Sequence, residues 1–130
     1  MKMIDRGGFD ILGHADKISF NAQSIDPHVT QSSWYQDTMQ SYFQKIAQRG
    51  ILVEINTKKY IPYGVFFPQQ EHFATLLARG IPVVVNSDSH RPEAINSGRP
   101  EALRALSETG FHHVMELHQG QWMAVPIELD

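Results

Sequence analysis

The chain has 130 residues, 14 acidic and 11 basic, for a formal net charge of -3; 42% of its residues are apolar and 19% are charged. This is one domain of ordinary globular composition, without the basic surface that a general nucleic-acid binder needs. The sequence has no cysteine, which excludes disulfides, thiolate-held zinc and a cysteine nucleophile. It also lacks an apolar run of the roughly 18 residues that cross a bilayer. The start, Met1 to Gly8, carries no secretory apolar stretch, so a soluble cytoplasmic protein is expected, with no membrane partner.

A strand-then-helix order runs along the chain. Phe9 to Gly13 is a short apolar run that reaches His14. Lys17 to Gln31 reads as loop. Ser32 and Ser33 are candidate caps for a helix running to about Arg49, with Tyr35, Met39, Tyr42, Phe43 and Ile46 on one apolar face and Gly50 as its stop. Trp34 also reads as core. Ile51 to Asn56 is a second strand, rich in β-branched residues, and Thr57 to Pro68 reads as loop. Tyr60, Tyr63, Phe66 and Phe67 in that loop fit either the wall of a substrate site or packing beneath a long loop.

A helix from about Gln69 to Arg79 turns Phe73, Leu76 and Leu77 inward. Ile81 to Asn86 is the third strand and the most apolar. A third helix begins near Pro100, with Leu103 and Leu106 facing in and Gly110 ending it. The tail, His113 to Leu117 and Trp122 to Ile127, is a strand with either a hairpin return or an extended arm. Continuous apolar strands alternating with amphipathic helices indicate an α/β fold with mostly parallel strands.

Each strand ends in polar residues of the kind that bind ligands. The first delivers His14 and Asp16, the second Glu54 and Asn56, and the third Asn86, Ser87, Asp88 and His90. Sites in parallel α/β proteins form at the carboxyl ends of the strands. Asp88-Ser89-His90 places a carboxylate and an imidazole close together, either as metal ligands or as a turn cap with a neighbouring histidine. The remaining histidines, 28, 72, 112, 113 and 118, are expected in ordinary surface or packing roles.

The segments FDILGHADKI, VEINT and IPVVVNSDSHRPEAI, in this order, resemble the later motifs of PHP-domain metal-dependent phosphoesterases, above all the histidinol-phosphatase branch. The resemblance implies the carboxyl-terminal part of a distorted (β/α)7 TIM-like barrel over residues 1–130. It implies a centre of two or three divalent ions (zinc, manganese or iron) that hydrolyses a small phosphomonoester. It makes His14, Asp88 and His90 metal ligands, with Asp88 and His90 at the catalytic centre. Lys17, Asn56, Lys58, Lys59 and Arg91 become substrate contacts, and Glu54 borders the site.

The family's opening His-x-His is not among these residues; His112 and His113 are adjacent. Three readings follow. The chain is a truncated phosphatase with little or no activity alone, a hydrolase whose ligands are completed by another copy or chain, or a non-catalytic α/β binding module. Half a barrel leaves open strand edges, so a homo-oligomer is expected.

Overall fold

The computed structural model describes residues 1–129. Three strands form a parallel sheet in the order β1 (Ile11–Leu12), β2 (Leu52–Asn56), β3 (Val83–Asn86). The register pairs Leu12 with Val53, Val53 with Val83, Ile55 with Val85, and Asn56 with Asn86. Paired residues project to the same face, so the register sorts the sheet into two sides. Leu12, Val53, Ile55, Val83 and Val85 share one face and join the core. Ile11, Leu52, Glu54, Asn56, Val84 and Asn86 share the other.

Helices cover the first face. α3 (Ser33–Arg49) buries Tyr35, Met39, Phe43 and Ile46, the expected stripe. Trp34 is turned out to solvent, 62% exposed, because it lies one residue off that stripe. α5 (Phe73–Ala78) buries Phe73 and Leu76, preceded by a 3-10 turn at Gln70–His72. Leu77 lies at the edge of the buried face and is 37% exposed, against expectation. α6 (Arg99–Thr109) buries Ala102, Ala105 and Leu106.

Three further helices occupy stretches that read as loop or carried no assignment. α1 (Lys2–Arg6) buries Ile4 and is tied to α3, where Lys45 Nζ donates to both Asp5 oxygens and Arg49 Nη2 to the Asp5 carbonyl. α2 (Lys17–Gln23) fully buries only Ser19. α4 (Tyr60–Tyr63) is a single turn with no buried residue.

The tail is a hairpin. β4 (His113–His118) and β5 (Gln121–Pro126) pair antiparallel from His113 with Pro126 to His118 with Gln121. The two residues between them, Gln119 and Gly120, have φ of 49° and 78°. Left-handed backbone at both positions matches the twist of a tight hairpin. β4 lies beside β3 in a separate two-stranded sheet. Among the described residues the architecture is therefore mixed α/β, and no barrel closes.

Candidate functional site

The carboxyl ends of the three strands converge on Glu54. It stands alone as a carboxylate within β2, on the face away from the helices. Its Oε1 accepts from the His14 backbone N–H at 3.1 Å and from Asn56 Nδ2 at 3.0 Å. Its Oε2 accepts from Asn86 Nδ2 at 3.0 Å. One side chain thus joins β1, β2 and β3. Asn56 extends the network: Nδ2 lies 3.3 Å from Asp88 Oδ2, and Oδ1 accepts from the Lys58 N–H at 3.1 Å.

Beyond the end of β3 the chain turns sharply. Asp88 has φ of 50°, and His14, after β1, has φ of 29°. Left-handed backbone is uncommon outside glycine, and Asp and His tolerate it better than most. Two of the three positions where the resemblance puts a metal ligand adopt it.

Asp88 projects into a basin of about 430 Å³ lined by Lys58, Lys59, Ser87, His90, Arg91 and Ser97, among others. Four of the expected site residues, Lys58, Lys59, His90 and Arg91, thus share one concavity with Asp88. Within it the Lys58 ammonium lies 3.6 Å from Asp88 Oδ2, 3.1 Å from His90 Nδ1 and 3.5 Å from His90 Nε2. His90 Nδ1 is 3.8 Å from Asp88 Oδ1 and 2.9 Å from the carbonyl of the same residue. Arg91 Nε is 3.6 Å from Glu93 Oε1, and Lys59 Nζ lies 5.3 Å from the centre of the Tyr63 ring.

Two expected residues stay apart. The His14 side chain is exposed and joins the network only through its backbone N–H. Lys17 is exposed at the start of α2 and does not line the basin. Of the four aromatics near the site, Phe66 and Phe67 are buried, Tyr60 stacks on Phe66 at 4.5 Å, and Tyr63 is 60% exposed. Packing beneath the loop accounts for the first three.

The donor chemistry of Asp88 and His90 suits zinc, manganese or iron. Their arrangement does not make a metal cage. Among the described residues no three His, Asp or Glu side chains come together as one, and the Lys58 ammonium stands beside both the carboxylate and the imidazole.

Asp16, only two residues past His14, is buried and faces a different way. Its Oδ2 accepts from the Gln69 N–H at 2.9 Å and lies 3.6 Å from His72 Nε2, and its Oδ1 has no partner. Burial pushes the Asp16 carboxyl up to about 6 despite the Gln69 hydrogen bond. Burial pushes the His72 imidazole down, against the pull of nearby Glu71. Tyr42, whose hydroxyl donates to the Ala15 carbonyl, is raised by burial to about 12. This cluster anchors the turn behind His14.

A larger cavity of about 570 Å³ opens on the other side of Asp88, between the sheet and the hairpin. Its rim carries a chain of charges. Arg99 Nη2 lies 3.3 Å from Glu116 Oε1, and His118 Nε2 lies 3.1 Å from Glu116 Oε2. The sequence carried no sign of it, because Arg99 and Glu116 come from different elements.

No family model matches this chain, and no curated protein sequence matches it. No helix among the described residues is long and apolar enough to cross a membrane.

Proposed function

We propose that these residues form the carboxyl-terminal part of a PHP-type phosphomonoesterase of the histidinol-phosphatase branch, built on the later strands of a distorted (β/α)7 barrel. The reading is supported by the way His14, Glu54 with Asn56, and Asp88 with His90 follow three successive parallel strands in the order of that family's motifs. The observation that carries it is the basin, where Lys58, Lys59 and Arg91 surround Asp88 and His90.

In this reading the three cations hold the oxygens of a small phosphomonoester. Asn56 and the Glu54 network fix Asp88, and His90 stands beside it at the centre. Two or three divalent ions (zinc, manganese or iron), when bound, would supply hydroxide near neutral pH and neutralise phosphate charge. Asp88, His90 and His14 are the donors on this chain, and the remaining ligands come from outside these residues. Another copy of the chain is one source, and an oligomer is expected to supply them. The protein is expected in the cytoplasm, with neither nucleic acid nor membrane as a partner.

A second reading, a phosphate-binding module without catalysis, is favoured by the ammonium beside Asp88 and His90. One experiment addresses both. Inorganic phosphate is titrated while amide shifts of residues 56–59 and 86–91 are followed by NMR, and p-nitrophenyl phosphate hydrolysis is assayed in parallel with and without Mn²⁺. Phosphate shifts confined to these segments and reduced in Lys59→Met and Arg91→Met support the site. Mn²⁺-dependent turnover lost in Asp88→Asn then selects the hydrolase, and binding without turnover selects the module or an incomplete centre. Shifts elsewhere, or none, overturn both.

A further inference from the structure

We propose that the outer edge of β5 is a self-association surface, where a second copy of this chain adds its own β5 antiparallel to make one four-stranded sheet. The proposal is independent of the phosphomonoesterase reading, and it gives the expected oligomer a definite interface.

The backbone carries the argument. Hydrogen-bonded and non-bonded pairs alternate along an antiparallel ladder. A two-residue turn is closed by a bonded pair, here His118 with Gln121. The Ile127 N–H donates to the His112 carbonyl at 2.9 Å, which continues the same phase. Gln121, Met123 and Val125 therefore turn their N–H and C=O groups toward β4, and Trp122 and Ala124 turn theirs outward. Pro126 fits this phase, since its missing N–H falls on the outer side. Among the described residues no strand but β4 pairs with β5, and no backbone group outside the hairpin bonds to Trp122 or Ala124.

This edge is complementary to itself. Set antiparallel about a two-fold axis at Met123, Trp122 and the partner's Ala124 exchange both hydrogen bonds, and the axis repeats the exchange. Sliding two residues one way leaves the Trp122 carbonyl facing the partner's Pro126, which has no N–H. Sliding the other way sets Ala124 against the turn residue Gly120, whose left-handed backbone leaves the strand. One register thus satisfies every outward group of Trp122 and Ala124. The strand QWMAVP carries no charge, so no like charges meet across the axis, and no lysine guards the edge. Leu117 and Met123 are 57% and 51% exposed. Pairing sets Leu117, Trp122, the partner's Ala124 and the partner's Met115 in one apolar row. The free edge of the parallel sheet, β1, is two residues long and offers far less. A strand from another protein could meet the same backbone groups, but only a second copy places Met123 against itself.

The sequence has no cysteine, so one introduced thiol reports its own neighbour. Met123→Cys sets two thiols across the axis at a non-bonded pair, where Cα atoms stand about 4.5 Å apart, within disulfide reach. Gln121→Cys, on the same strand and face, sets them about 13 Å apart, out of reach. With oxidised glutathione, Met123→Cys is expected to form the covalent dimer roughly tenfold faster than Gln121→Cys, or more, because pairing raises the local thiol concentration. Sedimentation velocity through the micromolar range is expected to show a dimer for the wild type. Ala124→Pro deletes an outward N–H that β4 does not use, and is expected to be a monomer with an unchanged circular dichroism spectrum. A monomeric wild type overturns the proposal, and so does a folded Ala124→Pro that dimerises as well as the wild type. Equal cross-linking of the two thiol variants also overturns it, and that comparison decides the matter if Ala124→Pro fails to fold. Phosphate, metal and turnover play no part in these readouts. Loss of the interface would therefore leave the phosphomonoesterase reading standing, and failure of that reading would leave the interface.

Discussion

Replacing Asp16 by Asn probes the buried cluster behind His14. The Asn side chain keeps the shape and an oxygen for the Gln69 N–H, but it cannot ionise. In the wild type, burial raises the carboxyl from 3.8 to about 6. Between those values the folded protein holds a proton that the unfolded chain has released. Stability is therefore greatest below about pH 4 and falls as pH rises toward 6. Each pH unit corresponds to about 1.4 kcal/mol, so the full penalty above pH 7 is about 3 kcal/mol. His72, lowered in the folded state, acts in the opposite sense and loses stability as pH falls, but it is present in both proteins and largely cancels in their difference. Urea unfolding followed by circular dichroism from pH 4 to pH 8 reads that difference. Asp16→Asn is expected to gain on the wild type across the window, by up to about 3 kcal/mol. A difference that stays flat, or grows toward low pH, would refute the burial argument.

Other expectations follow from the packing. Phe43→Ala empties a fully buried position on α3 and should cost about 3–5 kcal/mol in the same assay. Gly98 has φ of 74°, and a Cβ there would stand 2.9 Å from Thr57 Cβ and 3.1 Å from the Thr57 carbonyl. Gly98→Ala should therefore lose about 1–3 kcal/mol, and an unchanged urea midpoint would contradict the close approach. Light scattering should find a dimer or larger assembly; a compact monomer at micromolar concentration would count against completion of the site by a second copy.

The strands and α3 were legible because their patterns repeat: a 17-residue helix carries enough turns for its apolar stripe to stand out. α2 was not, because its sequence KISFNAQ has an exposed Ile18 and buries a serine, so no stripe marks it. The resemblance implies the later part of a (β/α)7 barrel, and the described residues show mixed α/β with a parallel sheet of three strands. Of the candidate site residues, the basin gathers those that follow β2 and β3, since short links leave little freedom in where they fall. Lys17 was placed by the resemblance, as the basic residue after Gly13-His14-Ala15-Asp16, and α2 carries it away from the basin. Glu54 was seen as bordering the site, but its part as the junction of three strands needed the register that sets it beside Val84, two residues before Asn86 on the same face. A carboxylate alone in a buried strand, with asparagines ending its own strand and the neighbouring β3, was the signal for it.

The left-handed backbone at His14 and Asp88 bears on what this protein preserves. Glycine would adopt those angles without strain, and the cost of a side chain there is about 1 kcal/mol at each position. His14→Gly and Asp88→Gly are then expected to make the fold more resistant to urea, and Asp88→Gly also removes the carboxylate of the basin. A chain that carries histidine and aspartate at left-handed positions gives up a little stability at the ends of β1 and β3, where the proposed site stands.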